Sequence, residues 1–132
     1  MSTAPSILIV EDEYGLAEML SEMLSEVGYE VTLAINGELA MDVLRERRID
    51  LVLTDAMMPV MDGPELALAM RSNDQYRRIP IVMMTSLPSA IPRTDGLHDA
   101  VLCKPFTPEA LLKVIDTCTK RRHGSQARAA DR

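Results

Sequence analysis

Five short apolar runs, spaced along the chain, constrain its fold more than any other feature. They lie at residues 6–10, 29–34, 50–54, 79–85 and 100–103. Most are rich in Val, Ile and Leu with little polar alternation, which is typical of strands buried on both faces of a parallel sheet. We therefore predict an α/β fold in which helices cover both faces of a five-stranded parallel sheet.

The intervals between these runs carry the signals of helices. Apolar residues recur at helical spacing over 16–27. Asp62 and Glu65 have the spacing of a capping box, which predicts a helix that runs to about Arg71. A last helix is expected to start at Pro108, since proline is tolerated in the first turn of a helix.

The segment 86–99 departs from this alternation. A regular helix is expected between the last two strands, but Pro88 and Pro92 would interrupt it, because proline removes a helical hydrogen bond and clashes with the preceding turn. We therefore expect a short or distorted fourth helix in this segment.

The charge of the chain is unevenly distributed. Residues 120–132 contain five lysines and arginines against one aspartate, a net charge of +4, whereas the whole chain carries −6. Residues 1–119 therefore carry −10, which disfavours nucleic acid or an anionic membrane as a partner. We expect one domain over 1–122 and a basic tail over 123–132. The tail could contact either partner, but a disordered, solvated terminus is favoured.

Three further features bear on where the protein is found. No apolar run is long enough to span a membrane, and the first residues lack the basic start and apolar core of a signal peptide. Cys103 and Cys118 are expected to be small buried residues rather than a disulfide, which fits a reducing compartment. The sequence therefore predicts a cytoplasmic protein.

Polar residues cluster at the ends of the predicted strands. Glu11 and Asp12 follow the first strand and Asp55 follows the third. Thr85 ends the fourth strand, and Lys104 follows the fifth. In an open parallel sheet the carboxyl ends of the strands share one edge, and the functional crevice lies outside that edge. We therefore expect these side chains to lie together.

This set of side chains suits metal-assisted phosphoryl chemistry. Neighbouring carboxylates repel each other unless a cation such as Mg²⁺, which prefers oxygen ligands, neutralises them. An aspartate such as Asp55 can accept a phosphoryl group as an acyl phosphate. The Lys104 ammonium and the Thr85 hydroxyl can then stabilise the phosphoryl oxygens.

Each of these residues also has a simpler structural explanation. Taken alone, Asp55 is a turn or cap residue, Thr85 a satisfied strand-end hydroxyl and Lys104 a surface lysine. Acids that precede a helix can pair with its dipole, a role that suits Glu13 better than Asp12. The convergence of the whole set favours the chemical interpretation.

Four motifs together resemble the receiver domain of bacterial two-component response regulators. They are ILIVEDE (7–13), DLVLTDAMMPVMDG (50–63), IPIVMMTS (79–86) and CKPF (103–106), in the order that this family has. The resemblance implies a flavodoxin-like (βα)5 fold with the strand order 2-1-3-4-5.

The resemblance also implies a role for each matching residue. Asp55 would accept phosphate from a sensor histidine kinase or a histidine phosphotransfer protein. Thr85 would be the switch hydroxyl, Lys104 the counter-ion of the phosphoryl group, and the Lys104–Pro105 peptide bond would be cis. The implied contacts to Mg²⁺ come from Asp12 directly, Glu11 through water, Asp55, and the backbone carbonyl of Met57.

The chain departs from the family pattern around the switch. Val101 stands where an aromatic residue commonly rotates on activation, and the segment 86–99 is shorter than usual. Ser86 and Leu87 lie beside the site, so they join Val101 as candidate switch and output residues. Met57 and Leu87 would flank the path of an attacking water without offering it an acid or amide, which predicts slow dephosphorylation.

Two hypotheses for the function follow. In the first, the chain is a stand-alone receiver, monomeric or weakly dimeric, in which phosphorylation of Asp55 switches contacts with an unknown downstream protein. It would be no enzyme beyond its own phosphorylation and slow dephosphorylation. In the second, it is a receiver-shaped interaction module whose partner binding is independent of phosphorylation, which Val101 supports. A metal-dependent phosphatase is disfavoured, because the sequence neighbours of Asp55 provide no second carboxylate.

Overall fold

The computed structural model describes residues 4–90 and 97–130, with side chains over 4–89 and 97–120. Within these ranges the strands are β1 (Ser6–Val10), β2 (Glu30–Ala34), β3 (Leu51–Asp55), β4 (Ile81–Thr85) and β5 (Ala100–Cys103). The α-helices are α1 (Tyr14–Glu26), α2 (Gly37–Glu46), α3 (Gly63–Arg71) and α4 (Pro108–Ala130). A single turn of 3-10 helix, Pro88–Ala90, follows β4.

The strands form one parallel sheet with the order β2-β1-β3-β4-β5. This confirms the predicted α/β fold and strand order. At the carboxyl edge, Asp55 pairs with Met84, and Thr85 pairs with Cys103. The register therefore brings the ends of β3, β4 and β5 to the same level.

The sheet is buried on both faces because its strands are largely apolar. On one face, alternate strand residues pack with Leu44 of α2 and with Leu66 and Met70 of α3. On the other face, the remaining strand residues pack with Leu20 of α1 and Leu111 of α4. Each fully buried apolar side chain contributes roughly 1.5–3 kcal/mol. These two layers therefore hold the strands firmly and fix the edge on which the polar residues lie.

Helices α1 and α3 begin at defined caps beside this edge. The Asp62 carboxylate accepts a hydrogen bond from the Glu65 N–H at 2.9 Å, and the Glu65 carboxylate accepts one from the Asp62 N–H at 3.1 Å. This is the capping box that the sequence predicted. The Glu13 carboxylate caps α1, since it accepts hydrogen bonds from the N–H groups of Gly15 at 3.0 Å and Leu16 at 2.6 Å.

Helix α4 is longer than the sequence analysis predicted. It continues to Ala130, whereas a disordered tail was expected over 123–132. The difference has a compositional reason, because no proline follows Pro108 and the added residues include several good helix formers, glutamine, alanine and arginine. The division of the chain at residue 122 stays a prediction.

The connection between β4 and β5 is described over residues 86–90 and 97–99. In the described part of this connection, the single 3-10 turn Pro88–Ala90 replaces a regular helix, as the prolines predicted, while Pro92 lies outside the described residues.

Cys118 is buried as expected, but Cys103 is exposed because it ends the edge strand β5. Among the described residues, no helix is long and apolar enough to cross a membrane.

Val60, in the loop between β3 and α3, has a backbone φ of 71°. A β-branched residue rarely adopts this left-handed conformation, which costs roughly 1–2 kcal/mol. Asparagine tolerates it better, so we expect Val60→Asn to raise the free energy of unfolding, measured in urea, by about 1 kcal/mol. Val27→Asn is the control, because Val27 is also exposed but has φ −95°. An equal gain at Val27, or none at Val60, would contradict this account.

Candidate functional site

Three carboxylates converge at the carboxyl edge of the sheet. Asp55 ends β3, while Glu11 and Asp12 follow β1, its neighbour in the sheet. One carboxylate oxygen from each residue lies within 4.8 Å of the other two. Glu11 is buried, Asp55 is half-buried and Asp12 is exposed, so the group opens to solvent on the Asp12 side.

Lys104 bridges two of these carboxylates. Its Nζ lies 3.3 Å from Glu11 Oε1 and 3.4 Å from Asp55 Oδ1. The Lys104 side chain is 24% exposed and that of Glu11 only 1%, so water screens this ion pair less than one on the open surface. The Lys104–Pro105 peptide bond is cis, as the resemblance implied.

Burial raises the pKa of the Glu11 carboxyl above its ordinary value of 4.5. The negative charge of Asp55 acts in the same direction. A hydrogen bond from the Glu13 N–H, at 3.2 Å, and the ammonium of Lys104 act against it. Ionisation of Glu11 in the folded protein therefore costs free energy. A further cation beside this carboxyl group would offset that cost.

This raised pKa predicts a pH-dependent stability. Between 4.5, the value expected in the unfolded chain, and the higher folded-state pKa of Glu11, the folded protein binds more protons than the unfolded one. The contribution of Glu11 to the free energy of unfolding is therefore greatest at low pH and falls as the pH rises through the folded-state pKa.

Urea denaturation over a pH series, with a chelator present, measures this dependence. We expect Glu11→Gln to flatten the fall in stability, whereas Glu18→Gln, at an exposed position of α1, leaves it unchanged. A Glu11→Gln profile that coincides with the wild-type profile would contradict the prediction.

The loop between β3 and α3 is held to the sheet edge by backbone hydrogen bonds. The Ala56 N–H, directly after β3, donates at 2.8 Å to the carbonyl of Met84, the residue that pairs with Asp55. The Gly63 N–H donates to the Ala56 carbonyl at 3.0 Å. Farther along the loop, the Gly37 N–H of α2 donates to the Met61 carbonyl at 3.0 Å. The main chain that follows β3 is therefore fixed at several points.

This loop forms one wall of an open cleft beside the carboxylates. The cleft is lined by Asp12, Met57, Met58, Pro59 and Asp62. Met57 is 70% exposed, whereas Met58 is partly buried against the core. From the sequence, Asp62 was predicted only to cap a helix. Its place in the cleft could have been predicted because it belongs to the same motif as Met57.

Thr85 ends β4, between the strands that carry Asp55 and precede Lys104, and it is buried. Its hydroxyl oxygen accepts a hydrogen bond from the Leu87 N–H at 3.0 Å. Its carbonyl accepts one from the Lys104 N–H at 2.7 Å. Thr85 therefore connects the backbone beside Lys104 with the first residues after β4.

The other candidate switch residues occupy two different environments. Ser86 and Leu87 are exposed directly after β4. Val101 is half-buried in β5 and packs against the core layer under α2 and α3. Val101 therefore fills part of the core, and it has no ring that could rotate between core and solvent.

An ion pair that was not predicted from the sequence ties the segment before β5 to α3. Arg71 donates to the Asp99 carboxylate at 2.8 Å, and the same carboxylate accepts a hydrogen bond from the Ile81 N–H at 2.8 Å. These contacts lie at the amino ends of β4 and β5, away from the three carboxylates. No local pattern predicts a pair that is 28 positions apart in the chain.

Comparison with known proteins identifies the family. The family model of the response regulator receiver domain matches residues 7–116, which include every candidate site residue. The chain belongs to this family. Receiver domains are signalling proteins and not classical enzymes.

Solved receiver domains have the same fold as this one. The receiver domain of an HD domain-containing protein from Pseudomonas fluorescens matches with a TM-score of 0.86 and 26% identity, over 97% of this chain and 96% of its own. The receiver domain of a sensor histidine kinase from Pseudomonas aeruginosa matches with a TM-score of 0.81 and 29% identity, over 89% of this chain and 99% of its own. Magnesium is coordinated in the active-site cleft of the latter.

A curated relative corrects one expectation. The transcriptional regulatory protein CpxR of Escherichia coli is 37% identical over 123 residues, which is 91% of this chain and 51% of CpxR. This receiver domain therefore spans about half the length of that relative. Since the relative is a regulator of transcription, the expectation that nucleic acid is no partner is wrong. That expectation rested on the charge of residues 1–119, which carries no information on the half of CpxR that lies outside the match.

Proposed function

We propose that this receiver domain is the phosphoacceptor of a two-component system or phosphorelay, and that Asp55 is the residue phosphorylated. The observation that supports this most is the position of Lys104 between Glu11 and Asp55, beside a third carboxylate. An Asp55 carboxylate oxygen attacks the phosphorus of a phosphohistidine. The N–P bond breaks, its electron pair returns to the histidine nitrogen, and an acyl phosphate forms on Asp55.

The donor set of the site fits Mg²⁺. This ion prefers octahedral oxygen coordination and retains several waters, so a few protein oxygens suffice. Glu11, Asp12 and Asp55 offer three such oxygens within 4.8 Å of each other. In our proposal Asp12 and Asp55 would hold the ion, Glu11 would act through water, and the Met57 carbonyl would complete the protein ligands. When bound, Mg²⁺ neutralises negative charge on the phosphoryl oxygens.

Lys104 and Thr85 stabilise the phosphoryl group in this proposal. The Lys104 Nζ lies 3.4 Å from Asp55 Oδ1, so its positive charge is already beside the carboxylate that receives the negatively charged phosphoryl group. The Thr85 hydroxyl accepts a hydrogen bond from the Leu87 N–H, which leaves its own proton to donate to a phosphoryl oxygen. A movement of Thr85 would act on Leu87 through that bond, which supports Ser86 and Leu87 as output residues.

The partners follow from this chemistry. A phosphohistidine donor implies a sensor histidine kinase or a histidine phosphotransfer protein, and the output is a changed contact with a downstream protein. Met57 and Leu87 are 70% and 60% exposed beside the site, which suits contact with a protein surface. We place the protein in the cytoplasm, where such kinases present their phosphohistidine, as a monomer or weak dimer.

Phosphotransfer from a phosphorylated histidine kinase tests this proposal. We expect Mg²⁺-dependent transfer to the wild type and to Asp62→Asn, and none to Asp55→Asn, as resolved on a phosphate-affinity gel. Asp62→Asn is the matched control, because Asp62 lines the same cleft and asparagine caps a helix equally well. Equal transfer to Asp55→Asn and the wild type, or an undiminished rate with a chelator, would refute the proposal.

A second candidate function is that of an interaction module whose partner binding is independent of phosphorylation. The half-buried Val101, which has no movable ring, favours it. Capture of a downstream partner distinguishes the two candidates. Equal capture by phosphorylated wild type and by Asp55→Asn supports the module, whereas capture that requires phosphorylation supports the switch.

The exposed Met57 predicts a long-lived phosphoryl group. Met57 lines the cleft, and its thioether cannot orient an attacking water as an amide can. We expect Met57→Asn to shorten the half-life of phosphorylated Asp55 by about tenfold. Intact-protein mass after removal of the phosphodonor measures the decay. Met19→Asn, at a half-exposed position of α1, serves as control, and an unchanged half-life for Met57→Asn would count against the prediction.

A further inference from the structure

Helix α4 is about twice as long as the sheet that it covers. Its 23 residues span about 34 Å at 1.5 Å per residue. The five-residue strands of the sheet span about 17 Å. The first half of α4 therefore suffices to cover the sheet, and its last described buried residues are Cys118 and Thr119.

The second half of α4 begins at the amino edge of the sheet, opposite the phosphorylation site. Asp116, Thr119 and Lys120 line a groove together with Pro5, which precedes β1, and with the residues before β2. The backbone remains helical from there to Ala130. This adds about 15 Å of helix beyond Lys120. We call residues 120–130 the distal helix.

The distal helix has a sequence unlike the rest of the chain. From residue 117 to 130 there are four cationic residues, Lys120, Arg121, Arg122 and Arg128, and no acidic one. Residues 1–119 carry −10. The Debye length in physiological salt is about 8 Å, so charges on much of a 15 Å extension are screened from the acidic body. The distal helix can therefore attract an anion that the body repels.

The lack of large apolar residues in the distal helix limits which anionic partners it can bind. Residues 119–132 contain no Leu, Ile, Val, Met, Phe, Tyr or Trp. A helix that lies in a membrane interface needs an apolar face, and a helix that docks in a protein groove needs apolar anchors at helical spacing. A cationic helix without them suits a dense row of phosphates, and the major groove of duplex DNA admits an α-helix.

We propose that the distal helix is a phosphate-backbone contact for double-stranded DNA. It binds without base specificity, at the opposite end of the fold from Asp55. The expected affinity is that of non-specific binding, with Kd on the order of 10⁻⁴–10⁻⁶ M at physiological salt.

Fluorescence anisotropy of the full chain with a labelled, mixed-sequence DNA duplex tests the proposal. We expect log K to fall linearly with log salt, with a slope of about −3 for three or four phosphate contacts. The triple variant Arg121→Gln, Arg122→Gln, Arg128→Gln should bind at least about tenfold more weakly. The triple variant Arg45→Gln, Arg47→Gln, Arg48→Gln, at exposed positions around the end of α2, removes the same charge and should bind as the wild type does.

Five outcomes separate this proposal from its alternatives. Loss of binding in the distal-helix variant only, with unchanged circular dichroism, supports the proposal. Equal weakening in both triple variants attributes the effect to net charge and overturns it, as does binding that salt does not weaken. Two further results overturn the proposal in favour of another anionic surface. One is binding of the wild type to anionic phosphatidylserine vesicles but not to duplex. The other is a dimer that the distal-helix variant abolishes, with no DNA binding.

Discussion

Gly63→Ala is expected to lower the free energy of unfolding by about 3 kcal/mol and to slow phosphorylation of Asp55. A Cβ at Gly63 would lie 2.5 Å from Met83 Sδ, 2.6 Å from the Asp55 carbonyl oxygen and 2.9 Å from the Ala56 Cα. Two of these atoms are backbone, which cannot turn aside as a flexible side chain can. Either the start of α3 or the end of β3 must therefore shift, and Asp55 is the last residue of β3.

Urea denaturation and the rate of phosphorylation by a small phosphodonor measure the two effects. Gly15→Ala is the matched control at the start of α1, because a Cβ there meets only the flexible Glu13 side chain, at 3.2 Å. We expect it to change stability by less than about 1 kcal/mol. A Gly63→Ala protein that is as stable and as reactive as the wild type would show that α3 does not press on the strand end.

Lys104→Met is expected to lower the phosphorylation rate by about 100-fold, because it removes the charge 3.4 Å from the attacking carboxylate. It also leaves Glu11 and Asp55 close together without their shared ammonium. We therefore expect a loss of about 2 kcal/mol in the free energy of unfolding when a chelator is present. Mg²⁺ should restore part of this loss, since an ion that binds only the folded state stabilises it.

Lys113→Met provides the control for this pair of effects. Lys113 lies on an exposed position of α4, so its replacement should alter neither the rate nor the dependence of stability on Mg²⁺. Lys104→Met with wild-type kinetics would remove Lys104 from the mechanism. A stability loss that Mg²⁺ does not reduce would instead separate Lys104 from the metal site.

The strands and the site edge were predictable because both depend on local pattern. Buried parallel strands appear as continuous apolar runs, and the strand ends bring Glu11, Asp55, Thr85 and Lys104 to one edge whatever the intervening residues are. The end of β3 was misplaced by one residue, because pairing of Asp55 with Met84 extends the ladder beyond the apolar run. The apolar pattern of the sequence shows where the buried part of the strand ends, whereas backbone hydrogen bonds determine where the strand itself ends.

Features that depend on tertiary contacts were not predictable from the sequence. The exposure of Cys103 follows from the position of β5 at the sheet edge. The pair between Arg71 and Asp99 requires α3 and the start of β5 to be neighbours. The charge of residues 120–132 suggested a solvated tail, whereas helix propensity and the absence of proline allow α4 to continue to Ala130.

Intact-protein mass after incubation with Mg²⁺ and acetyl phosphate tests the central claim, phosphorylation of Asp55, most directly. The predicted result is a single phosphoryl adduct on the wild type that requires Mg²⁺ and is missing from Asp55→Asn. An adduct of equal extent on Asp55→Asn would contradict the claim, as would the lack of any adduct both with acetyl phosphate and with a phosphorylated histidine kinase.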